Sequence, residues 1–143
     1  MIKPLPDKYI RKAVFDAINN IVVDTKTIPC YDMRVTGDNK SNYVLIQDQS
    51  NTVDESIKCG DRWESQILLE IYTSYLLSGN TGSRLLADNI VDKVRELTDN
   101  LTLDVASGMV IEEQTQSFPS DLNATTENKI VFRKFVRIEF LIN

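Results

Sequence analysis

The stretch Lys129–Ile142, KIVFRKFVRIEFLI, alternates almost without a break. Its even positions Ile130, Phe132, Val136, Ile138, Phe140 and Ile142 are apolar, with Lys134 the one exception. Arg133, Arg137 and Glu139 put charge on the odd positions. Strand side chains point to opposite faces with period two, so the pattern predicts one long strand with a core face and a wetter face. It is about twice the usual strand length of ~5–6 residues. A chain carrying such a strand must build a sheet around it. The sequence stops at Asn143, so the terminus is expected to be tied into that sheet. A strand this long can also extend past the core and reach a neighbour.

A second alternation supplies a partner. In Arg62–Tyr75, Trp63, Ile67, Leu69 and Ile71 share one face, while Glu64, Gln66, Glu70 and Tyr72 lie on the other with Leu68 as an apolar intruder. Tyr43–Ile46 is apolar on both faces, as in a strand inside a sheet. It continues into the polar Gln47–Thr52. Cys30–Val35 is a short strand candidate, and Gly108–Phe118 starts apolar before turning polar. Two segments change to helical period. Ile10, Ala13, Val14, Ala17, Ile18 and Ile21 follow Pro4-Leu5-Pro6-Asp7, a proline-and-acid helix start. The β-branched run Ile21–Val23 and then Pro29 end that helix. Leu86, Ile90, Val94, Leu97 and Leu101 form the second stripe. The predicted order is α-β-β-β-α-β-β. This is an α+β fold, a mainly antiparallel sheet with both helices on one face, in a single domain over residues 1–143.

Composition excludes several functions. The 143 residues are 42% hydrophobic and 26% charged, enough for a core without disulfides or metals. No apolar run approaches the ~18 residues that would cross a bilayer. The N-terminus has no apolar signal core, so a cytoplasm-like compartment is expected. There is no histidine. The commonest general base, the commonest metal ligand and every Ser-His or Cys-His pair go with it. Cys30 and Cys59 lie far apart without a C-x-x-C partner, which reads as two reduced, partly buried thiols rather than a zinc site.

Other motifs reduce to ordinary structure. Gly79–Ser83 precedes a helix, but a phosphate loop needs G-x-x-x-x-G-K-[ST], and here Gly82 is followed by Ser83-Arg84. Asp48, Asp54, Glu55, Asp61 and Glu64 lack the calcium-loop pattern and read as a solvated loop face. Trp63 shares parity with Ile67 and Leu69, so core packing is expected of it. No catalytic, cofactor-binding or metal-ligating residue is assigned.

The net charge of −5 is uneven. Residues 88–128 hold two Lys/Arg against nine Asp/Glu, and residues 129–143 hold four against one. An acidic chain without a basic cluster does not grip nucleic acid, although its surface can repel it.

The fragments KYIRKAVFDAINNI, IPCYDMRV, SNYVLIQDQS, RWESQILLEIYTSY, SRLLADNIVDKVRELTDN with LTLD after it, and VFRKFVRIEFLI, taken in this order, resemble the tail-completion and tail-terminator proteins of tailed bacteriophages and related neck ring proteins. The resemblance covers nearly the whole chain and rests on element order more than on one motif. It implies a non-enzymatic virion protein. Such a protein forms a ring, sixfold or twelvefold, at the head–tail junction, with neck, portal-adaptor or tail proteins as neighbours and DNA passing through the lumen. The implied location is the virion, with the host cytoplasm during assembly. Arg133, Lys134 and Arg137 are then candidates for salt bridges to the next subunit's acidic segment. Glu112, Glu113, Asp121 and Glu127 are candidates for the lumen or arm surface. Gln47–Asp61 and Gln114–Asn128 are expected to form arms or partner-binding loops. The alternatives are a portal adaptor or tail-tube subunit, a small ligand-binding α+β domain, and a hydrolase using the acids between Asp48 and Glu64.

Overall fold

The computed structural model of the chain describes residues 4–33, 41–53, 62–77, 83–126 and 128–143. Helix α1 (Asp7–Ile18) is followed by a hairpin, β1 (Ile21–Val23) and β2 (Lys26–Ile28), and by strands β3 (Cys30–Asp32), β4 (Asn42–Val53) and β5 (Trp63–Leu76). Helix α2 (Leu85–Leu97), a 3-10 turn (Val105–Ser107), β6 (Ile111–Ser117), β7 (Leu122–Thr125) and β8 (Lys129–Ile142) complete it. The order read from the sequence stands, with the hairpin and β7 added.

The main sheet runs β3-β4-β5-β8-β6, with β7 also paired to β8. All ladders are antiparallel except β3 on β4. β5 and β8 pair over fourteen positions, from Trp63↔Ile142 to Leu76↔Lys129. β6 covers the second half of β8 and β7 its first half. Asn143 and Val110 exchange both backbone hydrogen bonds, at 2.9 and 3.0 Å, so the end of the chain is tied in as expected.

Both helices pack on one face. Ile10, Val14 and Ile18 of α1, with Leu86, Ala87, Ile90 and Val94 of α2, close over Val44, Ile46, Ile67, Leu69, Ile71, Val136, Ile138, Phe140 and Ile142. Burying such side chains is worth ~1.5–3 kcal/mol each. Trp63 packs against this core, as its parity predicts. The first half of β8 departs from strict parity. Ile130 and Phe132 are only half-buried and lie outside the core, while odd-numbered Val131 is buried between Ala124 and Ser74 in register.

The hairpin turns at Asp24 and Thr25, both at positive φ (50° and 66°). That is the two-residue turn that matches strand twist. Asparagine and glycine are its usual residues, and threonine is not, so the sequence carries little signal for it. Burial pushes the Cys30 thiol up to about 12, which leaves it protonated and unreactive. Cys59, the loop 54–61 and Gly79–Gly82 lie outside the described residues.

The arms expected at 47–61 and 114–128 are overturned where 48–53, 114–117 and 122–125 pair onto the chain's own sheet. The reason lies in their helix-side amides. Beyond a bulge after Ile46, Gln49 and Asn51 face α1. Gln49 Nε2 donates to the Asp7 carbonyl at 3.0 Å, Arg11 Nη1 donates to Gln49 Oε1 at 2.8 Å, and Asn51 donates to the Asp7 carboxylate. At the opposite edge Gln114 donates to the Thr98 carbonyl, and Gln116 Nε2 donates to Thr98 Oγ1 at 3.1 Å. The last carbonyls of a helix have no partner within it, and α2 finds one in β6.

Replacing Ile138 with alanine should lower stability by about 2–5 kcal/mol, while Leu122→Ala, on exposed β7, should change it by less than ~0.5 kcal/mol. Urea titrations of both variants check this. Equal losses would contradict this placement of the core.

Candidate functional site

Among the described residues, no element packs on the second face of the sheet. The ladders set its side chains in five rows. Tyr43, Tyr72, Arg133 and Leu122 form the first, and Tyr31 on edge strand β3 is in register with Leu45 of the second. Leu45, Glu70 and Phe135 form the second, and Asp48, Leu68, Arg137 and Ser117 the third. Ser50, Gln66, Glu139 and Thr115 form the fourth, and Thr52, Glu64, Leu141 and Glu113 the fifth. The face therefore grades from aromatic and basic at one end to polar and acidic at the other.

The aromatic end is held together by ring contacts. Tyr43 stacks on Tyr72 with centroids 4.5 Å apart, and Tyr31 meets Tyr43 edge-on at 5.9 Å. The Arg133 guanidinium lies 5.7 Å from the Tyr72 ring centroid. Its Nε is 3.3 Å from Glu70 Oε1, an ion pair that lacks the alignment of a hydrogen bond. Glu70 is only 8% exposed. Burial raises its pKa, and Arg133 partly offsets the rise. Burial likewise pushes Tyr43 up to about 12, with Tyr72 and Glu70 adding to it.

The acidic end is a shallow groove of about 410 Å³, lined by Glu64, Glu113 and Glu139 with Ser50, Thr52, Gln66 and Thr115. Asp48 stands two rows from Glu64, ~13–14 Å along the strands, too far for two carboxylates to share one substrate atom. Among the described residues, no three His, Cys, Asp or Glu come together as metal ligands.

The six described seam and lumen candidates fall in different places. Arg133 and Arg137 stand on the open face. Lys134 does not. Its Nζ lies 2.8 Å from both Asp88 of α2 and Asp121, on the helix side. Those two bonds raise its pKa, Asp121 contributing most. Asp121 is thereby engaged within its own chain, and Glu112 is engaged by Arg62 at 2.7 Å. Glu113 is exposed beside the groove. Glu127 lies outside the described residues. Sequence reasoning missed Tyr31 and Tyr43 as members of this face, because only strand register brings them beside Tyr72.

The Glu70 shift fixes a sign. As pH rises, the unfolded carboxyl loses its proton before the folded one, so the folded state holds more protons in between and stability falls. The stability of wild type relative to Glu70→Gln should therefore decline from pH 4 to pH 7. Chemical denaturation across that range checks it, and a difference that grows with pH would contradict the burial of this carboxylate.

No protein-family model matches the chain, and no curated protein sequence does. Among solved structures, a chain in the virion of a native gene transfer agent particle is similar, with a TM-score of 0.62. The alignment covers 94% of this chain and 96% of that one, at 13% sequence identity. At that identity the likeness is one of fold, and it runs almost end to end.

Proposed function

We infer that this chain is a non-enzymatic virion structural protein, a ring subunit at the head–tail junction that joins connector to tail around the DNA channel. The observation that carries the reading is the end-to-end fold likeness to a virion chain. The open sheet face supports it, because half-buried tyrosines, Leu45, Leu68 and Phe135 without a cover suit a subunit seam better than a monomer's surface. Arg133 and Arg137 are the cations this face offers to a neighbour. Lys134, spent on Asp88 and Asp121, instead holds α2 to the sheet.

In this reading the β6–β7 edge turns toward the lumen. It carries Glu112, Glu113 and Asp121, in the acidic part of the sequence. Arg62 and Lys134 at this edge are engaged by Glu112 and Asp121, so it offers passing phosphates no excess of positive charge and DNA slides rather than sticks. Heterologous contacts close into a ring when the rotation between neighbours permits.

Particles assembled without this protein should accumulate as DNA-filled heads and separate tails, and adding the purified protein should join them. Electron microscopy of the two preparations checks this. Intact tailed particles formed in its absence would contradict the role.

A further inference from the structure

The open face of β8 reads Phe135, Arg137, Glu139, Leu141, an apolar–cation–anion–apolar series. Among the described residues, neither Arg137 nor Glu139 is in an ion pair, unlike Arg133 and Lys134 on the same strand. Read in reverse, the series is its own complement. We propose that in the free protein this face seats the same face of a second copy, about a twofold axis that crosses β8 between Arg137 and Glu139.

The geometry follows from the register. A twofold axis lying between the sheets and perpendicular to β8 sets the two copies of β8 antiparallel, one above the other. Arg137 of each then faces Glu139 of the other, and Phe135 faces Leu141, each contact occurring twice. Sheets stack ~10 Å apart, a gap that an arginine and a glutamate span together. Glu70 comes opposite Glu64, where Arg133 already neutralises it. Leu68 and Gln66 of β5 lie in the same two central rows as Arg137 and Glu139. The tyrosine row stays at the rim.

The occupant is a second copy because the charge pattern along β8 is complementary to itself, with two pairs of opposite charge at the centre and Phe135 against Leu141 on both flanks. Four rows at ~6.8 Å on four strands at ~4.8 Å give a footprint of roughly 500 Å². This is below the ~800 Å² per partner of a standard interface, so the dimer is weak and concentration-dependent. The dimer does not rest on the ring reading. A twofold contact cannot close a ring, so where a ring forms through this face the dimer must open first.

Light scattering or sedimentation velocity at matched concentrations tests it with wild type, Arg137→Glu, Glu139→Arg and the double reversal. Each single variant should show half the mass of wild type, and the double reversal should restore it. A ring built through this face leaves it covered, so the halved species is the monomer, and restoration by the double reversal is read whether or not the ring reading holds. Circular dichroism confirms that each variant is folded. If one single variant fails to fold, the other carries the comparison. Equal masses for wild type and the folded single variants would overturn the proposal, as would a folded double reversal that stays at half mass.

Discussion

The antiparallel pairing of β5 with β8 is the constraint on which the rest of the structure depends. It runs unbroken from Trp63↔Ile142 to Leu76↔Lys129. Each of these strands buries its central apolar residues on the helix face. Their other neighbours, β4 on one side and β6 and β7 on the other, take register from them. A slip of one residue would move Ile67, Leu69, Val136 and Ile138 to the wrong face, so the helices that cover those residues also fix the register.

The two faces are held by different means. On the helix side an apolar core is fastened at its margins by amides, Gln49 and Asn51 at the start of α1, Gln114 and Gln116 at the end of α2. Lys134 adds a cation placed between two carboxylates. On the open side the side chains pack mainly against each other, through the Tyr31–Tyr43–Tyr72 contacts and the Arg133–Glu70 pair. Among the described residues nothing covers this face, and its internal contacts would lower the ordering cost of binding a neighbour.

The long strands and both helices were legible because each has one clean period. Ile10, Val14 and Ile18, and likewise Leu86, Ile90 and Val94, recur at helical spacing and are the buried residues of α1 and α2. The β1–β2 hairpin was not legible, since Asp24-Thr25 puts threonine where this turn usually has glycine at positive φ. The polar ends of β4 and β6 looked like arms because their helix-side residues are amides rather than apolar groups. Only the folded chain shows that those amides meet helix termini. Lys134 breaks the pattern and was a candidate for a salt bridge to the next subunit, yet its partners Asp88 and Asp121 lie in its own chain, apart in sequence and adjacent in space. The open face was half-legible. Parity places Tyr72, Glu70, Arg133 and Arg137 there, while Tyr31 and Tyr43 join them through strand order alone.

The proposed role is that of a virion subunit whose second sheet face, uncovered among the described residues, meets its neighbours. A cryo-EM reconstruction of the assembled particle tests it most directly. The account predicts a rotationally symmetric ring of this chain between head and tail, with Tyr72, Arg133 and Phe135 at the seam between subunits. A particle that lacks the chain, or holds it with this face open to solvent in every copy, would contradict it.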